Sequence, residues 1–381
     1  MVALDLDEMQ QMLQELSHQF ALDEIRPNAE HWDKESEYPL QAIKAADELG
    51  LLNLHIPEEY GGAGLGSMEE VVVTEELAWG DPGFATAAYA TSLAIAPIIT
   101  GGTEEQKQKW LRKVAEEGAL ASYCVTEPQA GSDVASIATT AIKDGDDYII
   151  NGSKMWITNS TQADVFCTLV NTSEGQRHNN KSLVIIPSAT PGVSVDKPLK
   201  KLGLHSSDTA QIFFDNVRVP QSNRIGEEGM GFIYQMMQFQ EERLFAAAAS
   251  LKGMENNIQS TIEYTRERET FGKPILKNQV VQFRLAELQT EVEALRALVY
   301  DAVEGYIHGK DVLTKASMAK LKSGRLVREV SDSCLQYWGG MGFMWETGIT
   351  RAYRDSRLGS IGGGSDEVML GIISKQMGIL D

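Results

Sequence analysis

Tyr123-Cys124-Val125-Thr126-Glu127-Pro128-Gln129-Ala130-Gly131-Ser132-Asp133 opens as a strand and closes as a turn. Side chains alternate along a strand, so Tyr123 and Val125 point one way and Cys124 and Thr126 the other. The strand breaks at Glu127-Pro128, because proline donates no ladder hydrogen bond. Gly131-Ser132-Asp133 is then a small polar turn that lets the backbone approach a ligand closely. A second segment, Lys154-Met155-Trp156-Ile157-Thr158-Asn159, follows about one hairpin later. The period of two sets Trp156 beside Thr158 on one face, an aromatic plate next to a hydroxyl. A flat heterocycle would use that pair well.

Upstream of this region the chain reads as helix. Met9, Met12, Leu13, Leu16 and Phe20 recur at helical spacing in a stripe that ends before Pro27. Pro39 opens a second helix, and Gly50 fits its C-terminal cap. Ser67 with Glu70, and Thr103 with Gln106, read as capping boxes. The glycines of Ile56–Gly64 do not fit the dinucleotide fingerprint, since no strand precedes them inside a βαβ unit. From Ala119 the runs become strand-like, with turns at Asp144-Gly145 and Asn151-Gly152, the latter a strong hairpin signal. Val165–Val170, Leu183–Ile186 and Ile212–Phe214 complete an antiparallel barrel or sandwich. From Gly231 long helical runs return. The first carries Met236, Phe239 and Arg243 and ends at Gly272 and Pro274, and the second holds Leu285, Leu288, Val292 and Leu295. The third spans Leu313 to Trp338, and a last helix begins after Gly362-Gly363-Gly364 with Ser365 as N-cap. Helices, then strands, then helices, without βαβ alternation, argue against a doubly wound nucleotide fold. The expected class is α+β, mostly α, in three domains at 1–118, 119–226 and 227–381.

With 381 residues, two or three domains are needed to build cores. The net charge of −20 argues against nucleic acid or an anionic membrane as partner. No apolar run reads as long enough to span a bilayer. The acidic start Met1–Glu8 lacks secretory and transit signals, and Cys124, Cys167 and Cys334 are too scattered for a disulfide framework. Both point to a reducing, cytoplasmic setting. The six histidines form no pair at metal-ligand spacing, so no metal is expected.

Several of these blocks, in this order, resemble the acyl-CoA dehydrogenase family: Tyr123–Asp133, Met155–Asn159, His55-Ile56-Pro57-Glu58 with Gly61-Gly62, Ser207-Asp208-Thr209, Arg268-Glu269-Thr270-Phe271-Gly272, and Gln336 with Gly339-Gly340. The resemblance covers nearly the whole chain. It implies an N-terminal helical domain, a central β domain and a C-terminal four-helix bundle. It also implies FAD as cofactor, an acyl-CoA thioester as substrate and an electron-transfer flavoprotein as acceptor. Tyr123, Val125, Thr126, Gly131 and Ser132 match the flavin-contacting segment, with Ser132 also on the substrate side. Trp156 and Thr158 match the pair beside the isoalloxazine. Arg268, Phe271, Gln279, Gln336 and Gly340 match positions that reach the FAD of a neighbouring subunit, which implies a homotetramer. Ser365 and Glu367 align with further FAD contacts. Taken singly, Trp156 reads as a packed hairpin aromatic and Arg268 as a solvated helix-end charge, and only their joint occurrence favours the cofactor.

Desaturating an acyl thioester needs a base for the α-proton, a flavin for the β-hydride and donors to the thioester oxygen. Many family members carry the base in a Tyr-Glu-Gly segment near the C-terminus, where this chain has Gly362, Gly363 and Gly364. A second group, resembling isovaleryl-, long-chain and citronellyl-CoA dehydrogenases, places it on a helix directly before an arginine. Here Phe239-Gln240-Glu241-Glu242-Arg243-Leu244 makes Glu242 the matching base. Phe239, Glu242 and Ala246 share one helix face beside the small run Ala246–Ala249. Glu241 reads as a solvated surface carboxylate. Phe239, Arg243 and the Gly363 N–H are then expected on the substrate side. Two rivals keep the scaffold: an acyl-CoA oxidase or flavin monooxygenase, and a binding protein that has lost catalysis.

Overall fold

Asp7 accepts from the Gln10 N–H, Gln10 returns the bond, and this capping box starts α1 (Glu8–Phe20). A computed structural model of the chain describes residues 6–380. Met1–Asp5, the opening of the acidic start read above, and Asp381 lie outside the described residues. Leu13, Ser17 and Phe20 form the buried face of α1, while Met9 and Met12 are exposed, so the stripe is narrower than the apolar spacing predicts. Then come α2 (Ala29–Glu35), α3 (Leu40–Glu48), α4 (Ser67–Gly80), α5 (Pro82–Gly101), α6 (Glu104–Gln106) and α7 (Arg112–Glu117). The Thr103–Gln106 box forms as expected. The Ser67–Glu70 box does not. Gly66 is the N-cap and Glu69 accepts its N–H, while the Ser67 hydroxyl turns away to the Glu241 carboxylate at 2.5 Å.

α5 is 20 residues long and apolar enough to cross a membrane by length and composition, which overturns the expectation that no run reaches that length. Two thirds of that window is buried inside the protein. Asp81 caps it and Pro82 occupies its first turn, where a missing N–H costs nothing.

The sheet strands are β1 (Ala121–Cys124), β2 (Thr140–Asp144), β3 (Asp147–Thr158), β4 (Val165–Asn171), β5 (Lys181–Pro187), β6 (Val193–Val195), β7 (Thr209–Pro220) and β8 (Arg224–Ile225). Their order is β6-β7-β3-β2-β4-β5-β8, with β1 added beside β4. Pairing is antiparallel except at β1–β4 and at the single β2–β4 pair. β4 is buried on both faces, as a near-continuous apolar run requires. Val165, Cys167 and Leu169 pack toward α5, and Phe166 and Val170 pack into the opposite cluster. Asp144-Gly145 makes the β2–β3 turn, with Gly145 at φ +62°. Asn151-Gly152 makes no turn. It lies inside β3, where the pairing with β7 shifts register. A Cβ on Gly152 would stand 2.5 Å from the Thr139 hydroxyl, so glycine serves close approach at a bulge.

The C-terminal helices are α8 (Gly231–Ala248), α9 (Leu251–Glu267), α10 (Gln279–Ile307), α11 (Leu313–Trp338), α12 (Gly348–Ser356) and α13 (Asp366–Gln376). The hairpin β9 (Glu269–Thr270) and β10 (Lys273–Pro274) separates α9 from α10. The single first run expected from Gly231 is two helices, broken at Ala249-Ser250. α8 to α11 enclose one apolar core with Val71 and Val72 of α4. α11 has the bounds read from sequence, and Ser365 caps α13 by accepting from the Val368 N–H.

Candidate active site

Lys154 on β3 is fully buried, and its Nζ donates to Glu127 Oε1 at 2.8 Å and to the Val125 carbonyl at 3.1 Å. Glu127 also accepts from the Ala138 and Thr139 N–H groups and the Thr139 hydroxyl. Burial alone would raise this carboxyl, but the Lys154 charge and these bonds hold it below the ordinary range. The Met155 N–H donates to the Thr126 carbonyl at 2.8 Å. The two segments first quoted from sequence are therefore fastened to each other.

This fastening sets out the predicted cofactor residues. Val125 is buried, Thr126 and Thr158 are half-buried, and Gly131 and Ser132 are exposed in the turn. Trp156 is exposed and takes the left-handed φ of +57° next to the β3–β7 register shift. Ile157 is buried between Trp156 and Thr158, so both flanking side chains leave the core. The Tyr123 hydroxyl is buried with no partner among the described residues. An unsatisfied buried hydroxyl, an unpacked indole and an open glycine turn fit a flat, polar-edged group such as a flavin.

Glu242 lies on α8, half-buried. Burial raises its carboxyl above the ordinary carboxylate range, against the charges of Arg243 and Lys320. A Cβ built on Gly363 would stand 3.4 Å from Glu242 Oε1. The helix carboxylate and the glycine turn thus meet at one point. Burial and the nearby Cys167 and Glu242 charges push the Tyr123 phenol well up, so the strand and the carboxylate share one neighbourhood. Arg243 is buried, lies over the Phe239 ring at 5.6 Å, and its Nε–H finds no partner among the described residues.

Glu241 is not the solvated carboxylate expected from sequence. It accepts from Ser67, and burial first, then the Glu70 charge, raises its carboxyl. Glu70 in turn holds His55 Nδ1 at 2.8 Å. Tyr89 of α5 stacks on Phe245 with planes 11° apart, and burial with the Glu70, Glu241 and Glu242 charges raises its phenol. Sequence reading missed Tyr89, His55 and Lys320 as neighbours of the site. Lys320 left a signal: a lysine on a helix stripe otherwise made of Ala316, Ala319, Ser323 and Gly324.

The remaining predicted residues are placed as follows, most of them away from Glu242 on this chain. Arg268 and Phe271 stand exposed at the β9–β10 hairpin, Phe271 at φ +51°. Gln279 and Gln336 line one open cleft between α10 and α11 with Phe283, Arg284 and Tyr337, and no residue of the Glu242 neighbourhood lines it. Gly340 is exposed just past α11. The Ser365 hydroxyl is engaged as the α13 N-cap, and Glu367 is exposed in the first turn of that helix. Among the described residues no cluster of three or more His, Cys, Asp or Glu side chains is placed to hold a metal.

The three-part fold has close counterparts. Residues 7–118 match the acyl-CoA dehydrogenase N-terminal domain, 122–217 its middle domain and 229–378 its C-terminal domain. The chain is 37% identical over 376 residues to the probable acyl-CoA dehydrogenase YngJ of Bacillus subtilis, covering 98% of this chain and 99% of that one. Butyryl-CoA dehydrogenase from Megasphaera elsdenii superposes with a TM-score of 0.95 at 33% identity, over 99% of this chain and 100% of the other. The FAD complex of PigA superposes with a TM-score of 0.95 at 27% identity, over 99% and 100%. The chain belongs to the acyl-CoA dehydrogenase family and is an oxidoreductase.

Proposed function

We propose that the protein desaturates the α,β-bond of an acyl-CoA thioester, with Glu242 as base and FAD as cofactor. An electron-transfer flavoprotein would take the electrons onward. The observation that carries this reading is the 3.4 Å between Glu242 Oε1 and the position a Gly363 side chain would start from. A base mounted on α8 reaches the same place as one mounted on the 362–364 turn, and only one is present.

Glu242 takes the α-proton. Its burial suits the task, because a carboxylate that binds protons more tightly than in water is the stronger base. The Gly363 N–H, in a turn at φ +62°, is assigned to the thioester oxygen, Phe239 to the substrate side of the same helix face, and Arg243 to fixing the helix and the CoA end of the site. Tyr123, Val125, Thr126, Gly131, Ser132, Trp156 and Thr158 would hold the flavin within this subunit, which when bound supplies the acceptor for the β-hydride. Ser365 and Glu367 extend that cradle. Arg268, Phe271, Gln279, Gln336 and Gly340 would face the FAD of a neighbouring copy, which makes the homotetramer part of the same proposal.

An anaerobic titration with short, branched, medium and long acyl-CoAs, followed at the visible flavin band, tests this. Bleaching by one class supports desaturation and names the chain length. Bleaching followed by stoichiometric peroxide on admitting air would replace the dehydrogenase with an oxidase. A flavin-loaded protein that no thioester bleaches would overturn the proposal.

A further inference from the structure

Lys320 is 1% exposed, although it is a charged residue on a stripe of small ones. Burial lowers its ammonium to about 8, against the opposing pull of Asp366 and Glu242. Such a group is retained inside a protein only where it has partners. Its Nζ donates to the Gly359 carbonyl at 2.9 Å and to the Gly364 carbonyl. Those carbonyls lie on either side of Gly362 and Gly363. The turn is also tied before this point, where Ser360 donates to the Gly324 carbonyl at 3.0 Å, and after it, where Ser365 caps α13. Between the two ties no residue from 362 to 364 has a side chain to anchor it. A Cβ on Gly363 would be 3.8 Å from Lys320 Cε and 3.4 Å from Glu242 Oε1, so lysine and carboxylate both border the space a side chain at Gly363 would fill.

We propose that Lys320 is a positioning residue for the desaturation: it clamps the Gly359 and Gly364 carbonyls and so holds the Gly362–Gly364 turn against the Glu242 carboxylate. The inference rests on Glu242 being the base. Two charged groups face Glu242: Arg243 on its own helix and Lys320 from α11. The phenols of Tyr89 from α5 and Tyr123 from β1 lie in the same neighbourhood. Lys320 itself faces Asp366 from α13 and Glu242 and Arg243 from α8.

The test compares pH profiles of kcat and kcat/KM for flavin-loaded wild type, Lys320→Gln and Lys320→Arg, on the acyl-CoA that bleaches the wild type. Lys320→Gln should lower kcat between about 10- and 100-fold with KM little changed, since a loosened turn misplaces the reacting groups. Removing a cation beside Glu242 disfavours its charged form, so the acid limb of kcat/KM should move up by about half to one pH unit. Lys320→Arg should keep the wild-type acid limb, because its guanidinium preserves a cation beside Glu242. An unmoved acid limb in Lys320→Gln overturns the inference. So does a Lys320→Arg protein whose acid limb moves up as far as that of Lys320→Gln, since arginine keeps the cation beside Glu242. If Glu242→Gln turns over like the wild type, the base assignment fails instead, and the two failures are told apart.

Discussion

Glu242 and Glu241 are adjacent in sequence and differ in what surrounds them. Glu242 meets the glycine turn, while Glu241 accepts from Ser67 and repels Glu70. Glu242→Gln should keep flavin and fold and lose about 10²- to 10⁴-fold in kcat, the range a positioned base contributes. Single-turnover flavin reduction would measure it, and a loss under threefold would count against Glu242 as base. Glu241→Gln should retain turnover within a few fold, because a glutamine oxygen still accepts from Ser67 and the repulsion with Glu70 disappears. Steady-state assays of both variants on one substrate decide this. At this scale the assignment of Glu242 draws only on the resemblance. A glutamate before an arginine on a helix has no pattern of its own that marks it as a base. The small-residue stripe marked Lys320 as buried, but its role was not legible because its partners, Gly359 and Gly364, lie 39 and 44 residues further along the chain.

Elements were easier to read where their ends are made by local chemistry. The end of α11 at Gly339 and the Ser365 cap follow from a glycine and a hydroxyl that act on their immediate neighbours. Local signals failed where a distant group competes for them. The Ser67 hydroxyl would suit a capping box, yet it serves Glu241, 174 residues away. Asn151-Gly152 would suit a hairpin, but Thr139 needs the space that only a glycine leaves, and the strand continues through a bulge. The Lys154–Glu127 pair is the tie between elements that the site depends on. Lys154→Met leaves a buried carboxylate unpaired and should cost about 3–5 kcal/mol. A lowered Tm together with weaker flavin retention is the expected result of thermal and spectral measurements. An unchanged Tm would mean that the loop and β3 are held by other contacts.

Across the whole molecule, two distant parts of the chain converge on Asp355 of α12. Its Oδ1 accepts from the Leu204 N–H of the loop before β7 at 2.6 Å. Burial first, and then the Asp81 charge at the start of α5, raises its carboxyl to about 7. The folded protein therefore binds a proton there that the unfolded chain releases near pH 4. The stability this proton contributes is complete below the unfolded value and is lost as pH rises through about 7. Asp355→Asn keeps an acceptor for Leu204 but does not titrate, so its Tm should fall less than that of the wild type over this window. Parallel Tm curves for the two proteins would show that Asp355 is not the group responsible.

α5 shows how the order of synthesis bears on folding. The Ala121 N–H donates to Thr91 of this helix, Asn159 donates to the Ala87 carbonyl, and Gln238 of α8 donates to the Leu93 carbonyl. Ala94, Ile95 and Ile98 share a core with residues of β1, β4 and β5. All these partners are translated after α5. The first turns of α5 already pack on Phe20, Trp32 and Leu77, but while the ribosome makes the sheet and then α8, its Ala94–Ile98 face waits with its covering surface not yet in existence. Such nascent surface is what holding chaperones capture. A chain halted near residue 118 should bind them persistently, and extension past residue 248, the end of α8, should release it.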